Sequence, residues 1–240
     1  MSYDVKYKFA PEDALAKAAE VVPDDIQTGF KSGAWKERLE AADKMTAWIQ
    51  SDEGAEADSE ILFRYLSTSP GWGEKNFQVS SKVFAIMAEL AQKSSSFGKS
   101  SAAQAIGPLT DKLGDIKLKK PAGEALIVFA EKTSLGFVLS QGEFRCIPSC
   151  VHGFADQNHL GRQAYDSMTK QKAPKAQADA LTWVKQAIID FGIKGLALKD
   201  VINFLKVGLQ SSNGTVRSSA TAALVTLKLF VQTGESLSCR

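Results

Sequence analysis

Ser32-Gly33-Ala34-Trp35-Lys36-Glu37-Arg38, followed by Leu39 to Ile49, is the stretch on which the reading of this chain turns. Ala41, Ala42, Met45, Trp48 and Ile49 recur there at three- and four-residue steps, so the run is an amphipathic helix that buries one stripe against a partner. Trp35 falls outside the stripe. It stands at the mouth of the helix, just after a small Ser-Gly-Ala turn that ends a short preceding helix, Asp24 to Lys31. An indole at a helix-turn-helix corner serves either as a corner-packing group or as an exposed anchor for a partner. Four later corners resemble this one, which favours the anchor.

Helix-period patterns continue in both directions. Pro11 to Val22 opens with proline at its first position, where a missing N–H costs nothing. Further helices are expected over Ser59–Leu66, Val79–Gln92, Ala102–Leu113, Pro121–Glu131, Ala176–Phe191, Lys199–Leu209 and Ser218–Val231. Asp52 to Glu56 reads as an acidic linker, and Ser94 to Ser101 as a serine-rich loop ending in a helix cap. Anchored on Trp35, Asn76, Lys117, Lys175 and Arg217, the corners are separated by 41, 41, 58 and 42 residues. That period lies within the roughly 40–47 residues of HEAT or armadillo units. The one long interval implies an insertion between the third and fourth corners, around Gln141 to Gln171. Strand-like alternation is confined to Tyr3–Phe9.

Composition narrows the function classes. The chain has 240 residues, 44% apolar and 23% charged, enough for a sizeable core. Its 29 basic and 27 acidic residues leave a net charge of only +2, so nothing announces a nucleic-acid partner. No window approaches the ~18 apolar residues of a membrane span, and the amino terminus lacks the pattern of a signal peptide. Three cysteines, an odd number, fit a reducing, cytosolic compartment. The sequon Asn213-Gly214-Thr215 is inert without secretion.

A helix pair cannot cover its own apolar face, so stacked pairs build one continuous core and align corners of one type along a single edge. On that edge fall Trp35; Trp72, Lys75, Asn76 and Phe77; Lys117, Lys119 and Lys120; Pro174 and Lys175; and Thr215, Val216 and Arg217. An apolar anchor with lysine and arginine further along suits a large, flat, acidic protein surface.

Several of these segments together are specific. Phe30 to Arg38, Pro70-Gly71-Trp72-Gly73-Glu74-Lys75-Asn76-Phe77-Gln78-Val79, Gly114-Asp115-Ile116-Lys117, Ala173-Pro174-Lys175 with Ala180-Leu181-Thr182-Trp183, and Thr215-Val216-Arg217 resemble a TOG domain of the microtubule polymerase family. The Pro-Gly-Trp segment is most similar to the third TOG domain of such an array. The resemblance implies an all-α HEAT-repeat α-solenoid, shaped as a flat paddle, whose intra-repeat loops bind one αβ-tubulin heterodimer. It places Trp35 and Arg217 at the most diagnostic contacts. Lys75, Asn76 and Phe77 fall in the second loop, Asp115 and Lys117 in the third, and Pro174 and Lys175 in the fourth. Trp183 matches a buried position, and Trp48 lies on the helical stripe. Residues 1–240 then form one domain, monomeric, with an insertion at about 142–163 and an extra amino-terminal extended segment that packs with the insertion and braces the repeats. Neither nucleic acid nor membrane is an expected partner. The array as a whole would meet microtubule ends, the plus ends included, in the cytoplasm, the cytoskeleton and the spindle with its poles and centrosomes. A CLASP-type TOG domain or a non-catalytic HEAT scaffold acting as a structural spacer is the alternative.

Two rival chemistries have a local basis. Cys146, Cys150, His152 and His159 make a C-x3-C-x-H-x6-H run with four ligands for zinc, but the spacing matches no standard finger, so no metal is expected. No glycine-rich phosphate loop or Gly-x-Ser-x-Gly elbow is present, and Asp24, Asp25, Asp52 and Glu53 read as a helix start and a linker. The expectation is a protein without catalysis and without a cofactor.

Overall fold

The computed structural model describes residues 5–141, 174–194, 196 and 198–233. The expected insertion at 142–163 lies outside the described residues, and with it the zinc candidates Cys146, Cys150, His152 and His159. Every regular element among the described residues is helical. In chain order these are α1 (Pro11–Val21), α2 (Asp24–Lys31), α3 (Trp35–Trp48), α4 (Asp52–Glu56), α5 (Ser59–Leu66) and α6 (Phe77–Lys93). Then follow α7 (Lys99–Asp111), α8 (Lys119–Lys132), α9 (Leu135–Gln141), α10 (Pro174–Phe191), α11 (Leu198–Gln210) and α12 (Gly214–Thr233).

The helices stack as a HEAT-repeat solenoid. One layer carries α3 against α6 and α6 against α8, then α10 against α12. The opposite layer carries α1 against α5, α5 against α7, and α7 against α9. Phe63, Phe97 and Phe129 meet where the layers join, with ring centroids 5.4 to 5.6 Å apart in tilted pairs. Trp183 closes the seam between α8 and α10, its indole N–H donating to the Gly123 carbonyl at 3.3 Å. Trp48 is half-buried against the same core.

Most helices begin earlier than the apolar pattern suggests. α6 opens at Phe77, α10 at Pro174 and α12 at Gly214, two to four residues ahead of the expected starts. An apolar stripe marks only where a helix is buried, and a first turn that projects from the layer carries no stripe to read. The acidic linker is corrected as well. Asp52–Glu56 is a short helix, because the Ser51 hydroxyl accepts from Gly54 N–H at 3.3 Å and caps it.

The amino-terminal stretch does not form a strand among its described residues. Two successive N–H groups, of Lys8 and Phe9, instead donate to one oxygen of the buried Glu60 carboxylate at 2.9 and 3.2 Å. Lys8 also pairs with Asp58 at 3.0 Å. The segment is therefore held at the start of α5. Deleting residues 1–10 removes these bonds and the Phe9 packing and leaves Glu60 buried without donors. Thermal unfolding should then occur about 5 °C lower, the shift for roughly 2 kcal/mol in a domain of this size. An unchanged midpoint would show that the segment carries no load.

Candidate functional site

The turns entering α3, α6, α8, α10 and α12 are the five corners of the sequence. Three are closed by the same device. The Asn76 side-chain oxygen accepts from Gln78 N–H at 2.9 Å and Val79 N–H at 3.3 Å. Asp115 accepts from Lys117 N–H at 2.8 Å and Leu118 N–H at 3.1 Å. Asn213 accepts from Thr215 N–H at 2.9 Å and Val216 N–H at 3.3 Å. At the second and fifth corners the Asx side chain satisfies orphan donors of the helix's first turn, and at the third it closes the turn that leads into α8. The residue after the cap projects from the edge: Phe77, Ile116 and Gly214. In the first corner Ser32 takes over the capping, accepting from Ala34 N–H at 3.0 Å, and Trp35 holds the projecting position.

Side chains join successive corners. Arg38 in the first turn of α3 forms a bidentate pair with Glu74 of the second corner, Nε to Oε2 at 2.6 Å and Nη2 to Oε1 at 2.9 Å. Lys117 of the third corner reaches back over the Phe77 ring, with Nζ 4.5 Å from its centroid. Gly114 lies directly against Ala176 of the fourth, and Lys119 pairs with Asp179 of α10 at 3.5 Å. Four corners thus form a continuous row, and α12 packs on α10 to bring the fifth beside them.

Arg38 and Arg217 occupy the same place in their repeats. Each stands at the fourth position of its helix and uses Nη1 to hold two carbonyls of its own corner. For Arg38 these are Ser32 at 2.8 Å and Gly33 at 3.1 Å; for Arg217 they are Ser211 and Ser212, both at 2.8 Å. The difference is electrostatic. Glu74 occupies the outer edge of Arg38, and the Arg38 guanidinium holds the Glu74 carboxyl below its ordinary value, helped by the N–H of Asn76. Arg217 is exposed, and no carboxylate among the described residues pairs with it.

Trp35 and Phe77 are 38% and 42% exposed, values that hold their rings available on the edge. Lys75, Lys117, Pro174, Lys175 and Thr215 are also exposed. Val216 is a correction. It is 1% exposed, because the Asn213 cap starts α12 at Gly214 and turns Val216 onto the inward face, so it belongs to the core and cannot touch a partner. Trp72 is half-buried and packs on Phe84, with ring centroids 6.3 Å apart, so it supports the second corner from beneath. Asn76 and Asp115 spend capping oxygens on their own turns. Sequence reasoning missed Arg38, Glu74 and Ile116. The parallel between Ser32…Arg38 and Ser211…Arg217 was the available signal for Arg38; the carboxylate partner of Arg38 had none, because 36 residues separate the two.

Among the described residues, no three His, Cys, Asp or Glu side chains cluster as metal ligands, and no helix is long and apolar enough to cross a membrane. The row offers apolar and cationic contacts.

No protein-family model matches the chain. It is 31% identical over 221 residues to Protein MOR1 of Arabidopsis thaliana, across 92% of this chain and 10% of that protein. It is 30% identical over 226 residues to Protein mini spindles of Drosophila melanogaster, across 93% of this chain and 10% of that one. The chain therefore spans about a tenth of the length of the curated relatives it matches. The solved Drosophila Mini spindles TOG3 superposes with a TM-score of 0.70 at 28% identity, over 91% of this chain and 89% of that domain. A structure titled for tubulin recruitment and assembly by microtubule polymerases with TOG domain arrays shares the fold alone, with a TM-score of 0.62 at 16% identity over 87% of this chain and 40% of that one. Sequence and fold agree over nearly the whole of a solved domain, the third of its array as the Pro-Gly-Trp segment suggested, and on that agreement this chain belongs to the TOG-domain family.

Proposed function

We propose that this chain binds an αβ-tubulin heterodimer along the edge formed by its five corners and performs no chemistry itself. The observation that carries the reading is the row of corners joined side by side, with Trp35 and Phe77 exposed on it and Arg217 unpaired among the described residues at its far end. Trp35, Lys75, Phe77, Lys117, Pro174, Lys175, Thr215 and Arg217 are its contact residues. Trp72, Asn76, Asp115 and Lys119 hold the corners in place. Residues 1–240 act as one monomeric domain, with the segment 142–163 inserted between the third and fourth corners.

In a longer protein carrying several such domains, preference for a curved free dimer over straight lattice concentrates subunits at a growing end and releases them as they straighten. A ligand shifts such an equilibrium only by its differential affinity. One domain by itself binds without much acceleration of growth, because linked sites are what raise the effective concentration. The parent protein would then work in the cytoplasm, on the spindle and its poles and at microtubule plus ends. A structural-spacer role is the second reading, favoured by the capping and pairing that occupy Asn76, Asp115 and Lys119 within the row.

Co-migration with purified αβ-tubulin on a sizing column at low salt is the test. Wild type should shift the tubulin peak, and a Trp35→Ala, Arg217→Ala double variant with unchanged circular dichroism should not. Removing one central aromatic anchor weakens such an interface by about 30-fold. Absence of a shift for wild type at low micromolar concentration would overturn the binding reading and leave the spacer.

A further inference from the structure

Ile116 is 71% exposed, the most exposed large apolar side chain among the described residues. Single surface isoleucines are ordinary, and exposure alone implies nothing. Two further observations set this one apart. It directly follows the Asx residue that closes its turn, as Phe77 follows Asn76, and Phe77 in turn opens its helix as Trp35 does in the first corner. Three successive corners therefore each project a large apolar side chain along one row.

The turn also holds Ile116 outward. Asp115 N–H donates to the Lys112 carbonyl at 3.0 Å, and Lys119 N–H donates to the Asp115 carbonyl at 2.8 Å. The Asp115 carboxylate accepts from the N–H groups of Lys117 and Leu118, and Leu118 is buried in the core. A slack loop would fold an isoleucine back onto the protein; a turn fixed on both sides cannot. Preorganisation of this kind removes much of the ordering cost of binding.

Charge defines what fits the ridge. Lys36 lies over the Trp35 ring at 5.9 Å and Lys117 over the Phe77 ring at 4.5 Å, so each aromatic carries an ammonium at its rim. Of the acidic groups of these corners, Glu74 is ion-paired with Arg38, while Glu37 and Asp115 keep their charge and direct it at the Ser32 hydroxyl and the backbone of their own turns. The ridge is therefore apolar along its crest and cationic along its flank.

We propose that Trp35, Phe77 and Ile116 form one continuous apolar ridge, and that Ile116 is an anchor of the αβ-tubulin interface, seated in an apolar patch that carboxylates border. This rests on the tubulin-binding reading and adds a contact residue to it. Its test measures αβ-tubulin affinity for wild type, Ile116→Ala, Ile116→Leu, Lys117→Ala and Trp35→Ala, each checked by thermal unfolding. Ile116→Ala should bind about 10-fold more weakly with an unchanged melting midpoint, and the loss should persist as salt is raised. Ile116→Leu should stay within about twofold of wild type, since it keeps the apolar volume. Lys117→Ala should lose affinity mainly at low salt. If Trp35→Ala abolishes binding while Ile116→Ala binds like wild type, the ridge proposal fails and the tubulin reading stands. If wild type does not bind, both fall.

Discussion

Replacing Gly114 with alanine is expected to lower the unfolding free energy by roughly 3 kcal/mol, the upper range for forcing an extra methyl into a packed contact. A Cβ at position 114 would lie 2.3 Å from the Ala176 Cβ and 2.8 Å from the Ala176 Cα. Neither atom belongs to a side chain that can swing away, so the first turn of α10 must move bodily from the third corner. The change also separates the third and fourth corners of the proposed tubulin edge, and affinity should fall with stability. Urea denaturation reads the first effect. The double variant Gly114→Ala, Ala176→Gly removes the 2.3 Å contact but not the approach to the Ala176 Cα, so it should recover about half of the loss. A Gly114→Ala single variant as stable as wild type would show that the two corners are not packed against each other.

Removal of the Arg38 guanidinium should cost about as much, roughly 3 kcal/mol, because Arg38→Ala leaves the Glu74 carboxylate without its cation in a largely buried position. It also releases the Ser32 and Gly33 carbonyls. Arg38→Lys should recover only a minor part, since an ammonium cannot span both carboxylate oxygens and the two carbonyls. The pair predicts a pH dependence whose sign follows from Glu74. Its folded pKa lies below its ordinary value, so its contribution is complete above the unfolded carboxylate pKa and is lost as pH falls through the lowered folded value. Wild type should therefore lose stability below about pH 4.5 more steeply than Glu74→Gln, and the gap between the two curves should close in acid. Parallel curves down to pH 3 would show that the Arg38–Glu74 pair is broken in solution.

Much of this architecture is written in short-range pattern. The stripe Ala41, Ala42, Met45 and Ile49 lies in the core, and Trp35, outside that stripe, is exposed. Corner spacing located all five corners beside described helices and placed the one long interval between the third and fourth. The strand-like alternation of Tyr3–Phe9 is not matched by a strand among residues 5–9. Alternation is a property of the segment alone, whereas a strand needs a partner edge, and the partner available to Lys8 and Phe9 was one carboxylate oxygen of Glu60. Val216 failed because its direction depends on where α12 starts, and the Asn213 cap settles that.

Periodicity, corner spacing and residue type in the sequence determined an all-α repeat protein with an aromatic at its first corner and an arginine at its fifth. The tertiary structure alone decided which corner residues point outward and which corners touch. Arg38 meets Glu74 across 36 residues, Lys117 covers Phe77 across 40, and Gly114 abuts Ala176 across 62. Those partners share no local pattern, because stacking of neighbouring repeats brings them together, and only the packed helices fix the distance between one corner and the next.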